Sequence, residues 1–282
     1  MPDREGFRRA RTPGGQVFQF AESGEGPLVV LFHGFPDTPA TWDAARTRLN
    51  AAGYRTVAPF LRGYHPDTIV PGRGYGLGEI AEDALRFLDA LGEDQAVFVG
   101  HDWGATVALG AAGRGPQRLR GVVSVGLPHP GTVKPSLAVA WAARHFLALR
   151  MPWSAAMVRR GDFAYLDMLY RRWSPGWHGP ARERCLAAVK EAFRDPVVLD
   201  AALAYYRALR PASRSAAPRR LPVRGMVVGG TADPVPAEEF ARSERGFAAD
   251  CRVVMLDGAG HWPHQEREDV FVDHLAGFLA SL

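Results

Sequence analysis

The chain is poor in cysteine and in lysine. Its 282 residues include two cysteines, Cys185 and Cys251. They lie far apart and lack zinc-ligand spacing, so a disulfide framework is excluded and a reduced, cytoplasmic setting is expected. Lysine is confined to Lys134 and Lys190, so nearly all the positive charge is arginine, and the formal net charge is +4. Arginine pairs at 159–160, 171–172 and 219–220 are not interleaved with any nucleic-acid motif. They read as a solvated surface, with an anionic-surface reading as the alternative and no nucleic-acid partner expected. Long apolar runs are missing too. The longest candidate, LAVAWAARHFLALRMPW (137–153), is interrupted by Arg144, His145, Arg150 and Pro152, so no membrane span is expected. The charged start, MPDREGFRRARTPGG, has no apolar core of a secretory signal. Repeats and low-complexity tracts are absent.

What remains is a chain of 47% hydrophobic residues, enough for one large domain or a domain carrying an insertion. LVVLFHG (28–34) is a continuous apolar run of the kind buried on both faces of a sheet. A helix follows over 38–50, with Thr38 as its cap. YRTVAPF, QAVFVG, GVVSVGLP, VRGMVVGG and CRVVMLDG read as strands. LGEIAEDALRFLDALG, WGATVALGAAG and EDVFVDHLAGFLASL read as helices. The alternation implies a mostly parallel central sheet with helices on both faces. Residues 133–217 lack strand runs and are rich in Trp, Tyr, Leu and Arg. They read as an inserted helical cap between core segments 1–132 and 218–282, with PASRSAAPRR (211–220) as the linker back.

Three short stretches carry the chemistry. Gly100-His101-Asp102-Trp103-Gly104 has the small-x-nucleophile-x-small spacing of a sharp strand-to-helix turn. The helix N-terminus favours an ionised Asp102; the plainer alternative is an N-cap aspartate. GGTADPVP puts Asp233 after a later strand, and LDGAGHWPHQE puts His261 after the next. All three fall where strand ends gather at one sheet edge, in the chain order nucleophile, acid, base. His261 is preferred over His264 because it directly follows the Gly258-Ala259-Gly260 turn. In LFHGFPDTPATW, the Phe35 N–H, with that of Trp103, could form an oxyanion hole. His33 is assigned to holding its loop, and the Phe35–Pro36 bond is a candidate for cis geometry.

With HGFP, GHDWG, the aspartate after GGTA, and GAGHW together, the chain resembles the α/β-hydrolase superfamily over essentially its whole length. Within it, these motifs look like the epoxide hydrolase branch, related to haloalkane and haloacetate dehalogenases. Chemistry points the same way. A carboxylate attacking an ester carbonyl would give an anhydride, whereas attack on a saturated carbon gives a stable alkyl ester that His261-activated water can hydrolyse. The expected substrate is a small hydrophobic epoxide. No metal or organic cofactor is implied.

The resemblance further implies two cap tyrosines that hold and protonate the departing oxygen. Tyr206, before Arg207, matches the second; Tyr165 matches the first, with Tyr170 in reserve. Trp103, Phe35, Trp173 and Tyr170 are expected around the substrate. A dehalogenase is the first alternative, since Trp103 and Trp173 could donate to a halide. Against it, Phe35 cannot donate from its side chain, and Trp103 and Thr106 stand where haloacetate enzymes carry arginines. Phe60 also departs from the family, replacing the aspartate before Arg62-Gly63-Tyr64. A non-catalytic binding protein on the same fold is the second alternative. Oligomeric state is left open, a homodimer included.

Overall fold

A computed structural model describes residues 6–209 and 220–282. Most of the expected linker, the end of the cap at 217 and the first five residues lie outside the described residues.

Apolar runs bounded by turn residues make the sheet. In chain order the strands are β1 (Phe7–Arg11), β2 (Val17–Ser23), β3 (Leu28–Phe32), β4 (Arg55–Pro59), β5 (Ala96–His101), β6 (Leu119–Val125), β7 (Gly225–Gly230) and β8 (Cys251–Leu256). Their spatial order is β1-β2-β4-β3-β5-β6-β7-β8. From β4 to β8 every pairing is parallel, whereas β1–β2 and β2–β4 are antiparallel. The antiparallel pair was not foreseen, because FRRAR is an exposed, arginine-rich edge strand with no apolar run to mark it.

Helices α1 (Asp43–Ala51), α2 (Leu77–Leu91) and α3 (Trp103–Arg114) connect the first parallel strands. Thr38 does not cap α1. Its side chain makes no capping bond, a short 3₁₀ turn over Pro39–Trp42 comes first, and α1 begins at Asp43. Between β6 and β7 the described residues form only helices: α4 (Leu137–Ala142), α5 (His145–Leu149), α6 (Ser154–Trp173), α7 (Pro180–Phe193) and α8 (Pro196–Ala208). The backbone of α6 breaks at 160–163, where Gly161, Asp162 and Phe163 all have positive φ. Helices α9 (Ala237–Ala241), α10 (Pro263–Glu266) and α11 (Glu268–Ala280) complete the chain.

One apolar cluster runs from the sheet into the α6–α8 helices through Phe35, Trp103, Leu166, Phe193, Leu203 and Tyr206. The other lies on the opposite face under α1 and α11. Burying both faces explains why β3, β5 and β7 are buried at every position. No helix among the described residues is long and apolar enough to cross a membrane.

Candidate active site

Asp102 sits between the last residue of β5 and the first of α3, with φ 51° and ψ −114°. Such a backbone for a residue with a Cβ is strained and points the side chain out of the turn. The flanking glycines make the turn fit: a Cβ on Gly100 would lie 2.1 Å from the Gly104 carbonyl oxygen, and one on Gly104 would lie 2.2 Å from that of Phe32. Asp102 occupies the N-cap position, yet its side chain makes no capping bond. It turns instead to the β3 loop, where the Phe35 N–H donates to Oδ1 at 2.8 Å.

That loop is built to lie against the aspartate. A Cβ on Gly34 would meet Asp102 Cβ at 2.5 Å. The Phe35–Pro36 bond is cis. Buried His33 accepts the Leu61 N–H at Nε2, 3.1 Å, and its Nδ1 bonds the Gly34 carbonyl at 3.0 Å, as expected of a loop-holding residue. Burial pushes its pKa down to about 4, so it stays neutral. The loop lacking the family's aspartate at Phe60 is held by Asp83, which receives Arg62 Nε at 2.6 Å and Nη2 at 2.5 Å.

His261, in the loop after β8, joins the other two expected residues. Its Nδ1 bonds Asp233 Oδ2 at 2.9 Å, and its Nε2 lies 3.5 Å from Asp102 Oδ2. Asp233 is oriented by the Val235 N–H, which donates to Oδ1 at 2.7 Å. Burial opposes charge on His261, but the Asp233 charge and the hydrogen bonds to Asp102 and Asp233 outweigh it and push the pKa up to about 10. Burial likewise opposes ionisation of Asp102. The imidazole of His261 nevertheless holds the carboxyl below its ordinary range, helped by His101 and the Phe35 N–H. His264 is apart from this line: it is buried, pairs with Thr41 Oγ1 at 2.8 Å, and is kept neutral by burial.

Two supports gave no sequence signal. Glu266 accepts from the Gly260 N–H at 2.9 Å, the Trp262 N–H at 3.1 Å and the Ser174 hydroxyl at 2.5 Å, tying the histidine loop to the end of α6. Behind Asp102, buried Asp37 accepts from Trp262 Nε1 at 3.0 Å and the Thr38 N–H at 2.8 Å. His101 Nε2 donates to the His261 carbonyl at 2.8 Å. The candidate ligand atoms of Asp37, His101 and His264 lie within 4.8 Å of one another, the one such grouping among the described residues. With Asp37 already taken by two N–H donors, the cluster serves as a scaffold for the His261 main chain.

A cavity of about 340 Å³ opens in front of the aspartate, lined by Asp102, Asp233, His261, Trp173, His145 and Phe146 among others, with a largely apolar wall. Of the expected substrate residues, Trp173 lines it; Phe35, Trp103 and Tyr170 do not. The Phe35 ring packs between Phe193 and Tyr206. The Trp103 indole is edge-on to Tyr205 and Tyr206. The Tyr170 hydroxyl donates to the Pro36 carbonyl at 3.0 Å, so this residue ties α6 to the β3 loop and does not face the cavity.

The phenols of the cap are placed unequally. Tyr206 is fully buried, and its hydroxyl makes no well-aligned hydrogen bond among the described residues, the Trp103 indole beside it being a loosely oriented donor. Its ring meets Phe146 at 5.2 Å and His145 at 6.0 Å, just behind the cavity wall. Burial pushes its pKa well above the ordinary phenol value, and the Asp102 charge adds to this. Tyr165 is half-buried at the edge of the core and does not line the cavity. The wall position is taken by His145, missed in the sequence because a histidine in an apolar helical stretch carries no spacing signature. Its Nδ1 bonds the Ala142 carbonyl at 3.0 Å, and burial pushes its pKa down to about 4.

A strained aspartate, a carboxylate-oriented histidine and an apolar cavity, all at the carboxyl edge of a parallel sheet, are the parts of a hydrolytic site. The chain belongs to the alpha/beta hydrolase family, whose model matches residues 29–274. It is similar to Epoxide hydrolase A of Mycobacterium tuberculosis, 29% identical with 95% of each chain covered. It is also similar to the AB hydrolase superfamily protein YfhM of Bacillus subtilis, 29% identical with 91% of each chain covered. Among solved structures, an epoxide hydrolase from an endophytic Streptomyces superposes with a TM-score of 0.80 at 26% identity, covering 98% of this chain and 96% of the other.

Proposed function

We propose that this chain is an epoxide hydrolase that opens its substrate through a covalent ester on Asp102. The observation that carries the reading is the placement of that carboxylate: pinned at Oδ1 by the Phe35 N–H, faced at Oδ2 by His261, and open to an apolar cavity. Attack by a carboxylate oxygen on an epoxide carbon breaks the ring C–O bond and leaves an alkoxide. Tyr206, whose phenol stays protonated, is the acid for that oxygen, reached as the His145 and Phe146 side chains in front of it give way to substrate. His145 takes the second position that Tyr165 was expected to fill. With Nδ1–H given to Ala142, its Nε2 donates only after the ring gains a proton or exchanges tautomer.

Esterification also sets the order of events. It removes the Asp102 charge, one of the influences holding the proton on His261. The imidazole then gives up its proton, which restores the one Tyr206 lost to the alkoxide, and becomes a base that takes a proton from water as it attacks the ester carbonyl, with Asp233 stabilising the imidazolium. The Phe35 N–H, already at the Asp102 carboxylate, supports an oxyanion hole for the tetrahedral intermediate, with the Trp103 N–H, unpaired within its helix at the first turn, as the second donor. The product is a vicinal diol. The halide alternative is weaker because it needs indole donors facing the cavity, and of Trp103 and Trp173 only the latter lines it.

Intact-mass measurement of His261→Ala, incubated separately with epoxides and haloalkanes, tests the reading. A stable adduct on Asp102 carrying the whole mass of an epoxide supports it. An adduct equal to a haloalkane less its hydrogen halide replaces it with dehalogenation, and no adduct with either panel removes the covalent mechanism.

A further inference from the structure

The outer face of the cap carries an unusual combination of exposed apolar and basic side chains. Leu137, Trp141, Leu147 and Trp153 are 91, 67, 71 and 63% exposed. These four of the six large hydrophobics exposed among the described residues fall within one 17-residue stretch, the α4–α5 pair and the turn after it. Leu137 and Trp141 are four residues apart on α4 and so share a helix face. Monomeric soluble proteins seldom leave such groups together in water without a partner.

Charge says which partner fits. No aspartate or glutamate occurs from 103 to 161, while Lys134, Arg144, Arg150, Arg159 and Arg160 all lie on or beside the apolar stretch. The four arginines form none of the ion pairs among the described residues. The Arg144 guanidinium lies over the Trp141 ring, 3.6 Å from its centroid, so cation and indole present themselves together. A second copy of the chain docking through a two-fold axis would set these arginines against each other. A nucleic acid would answer the charge but leave Leu137 and Leu147 unburied. An anionic lipid surface answers both: indoles and leucines enter the headgroup boundary and arginines meet the phosphates.

We infer that residues 134–160 dock this protein peripherally on anionic membranes. The inner side of the same element reaches the cavity, since Val139, Ala142, Ala143, His145 and Phe146 line it. Docking therefore brings the cavity wall to the phase in which an apolar substrate concentrates. The inference does not depend on which bond the site breaks.

Co-sedimentation of the full chain with phosphatidylcholine vesicles, with and without phosphatidylglycerol, tests it. The protein should sediment with the phosphatidylglycerol vesicles and be released by added salt. Removing one arginine, as in Arg150→Gln, should weaken binding roughly five-fold, and the double change Leu137→Ser, Trp141→Ser at least about ten-fold. Both variants should keep turnover of a water-soluble substrate, which shows them folded. Failure of the native protein to sediment overturns the inference. So does sedimentation unchanged by the Leu137/Trp141 pair, which would reduce the effect to bulk charge. A dimer in analytical ultracentrifugation that the same pair dissociates would hand the patch to a second copy.

Discussion

The two walls of the cavity are built on different principles. On the sheet side the polar groups are held from outside by hydrogen bonds, and only Asp102 Oδ2 and His261 Nε2 are left facing each other at 3.5 Å. Asp102 is fixed by the elbow and the Phe35 N–H, Asp233 by Val235, and His261 by Asp233, His101 and the Trp173 carbonyl, which accepts the His261 N–H at 2.9 Å. On the cap side the fit is aromatic. Tyr206 meets Phe35, Trp103, His145 and Phe146 edge-on, and its hydroxyl has only the loosely oriented Trp103 indole as a polar neighbour. A buried hydroxyl without a well-aligned partner costs free energy unless something else answers it. On the proposed mechanism the difference is a division of labour: the sheet side holds the nucleophile and base before substrate arrives, and the helices between β6 and β7 bring the acid to it.

That division can be broken from the sheet side first. Asp102→Ala should lower turnover by about 10⁴-fold or more, because the proposed mechanism loses the atom that forms the bond, and steady-state kinetics on protein with native circular dichroism checks it. Asp233→Asn, which leaves the histidine in place but miscast, should cost roughly 10³–10⁴-fold, with an adduct accumulating in intact mass as ester hydrolysis slows. From the cap side, Tyr206→Phe should cost about 10²-fold, the loss growing as the leaving oxygen becomes more basic. His145→Ala should cost about ten-fold, and Tyr165→Phe should change turnover by less than about three-fold. If Tyr165→Phe proved the more damaging of the last two, the placement of the second donor on the cavity wall would be wrong.

A separate effect, on stability and not on turnover, appears against pH. The folded pKa of His261 is raised from the ordinary 6.5 to about 10, so the folded chain holds this proton more tightly than the unfolded one. The stabilisation is therefore complete below about pH 6.5 and is lost as pH rises through about 10. The difference in urea midpoint between native protein and His261→Gln should narrow across that window. A constant difference would mean that His261 is neutral in the folded state.

Much of the core site was legible in the chain because its demands are local. A strand-to-helix elbow needs small residues two positions either side of Asp102, and the clash of either Cβ with backbone shows why nothing larger fits. Asp233 and His261 could be ranked by their position after strands, since parallel strands deliver their carboxyl ends to one edge. The edge pair β1–β2 was not legible, as its arginine-rich strand has no apolar signature. The cap residues were harder for a different reason. Tyr165, Tyr170, Tyr205 and Tyr206 look alike in sequence, all aromatic and all at helical spacing. Only packing distinguishes Tyr170, bonded to Pro36, and Tyr205, bonded to Arg62 at 2.8 Å, from Tyr206, whose hydroxyl makes no well-aligned hydrogen bond.

The sequence by itself determined the alternating sheet and helices, the sharp turn at Asp102 and the order of the three polar residues. Each follows from short-range sterics and periodicity that a single strand and its neighbours impose. Only the tertiary structure decided that His145 and not Tyr165 stands on the cavity wall, that Glu266 and Asp37 brace the His261 loop, and that Leu137 and Trp141 face outward. Those outcomes depend on how helices far apart in the chain pack against one another, and a helical pattern records which face is apolar without recording what it meets.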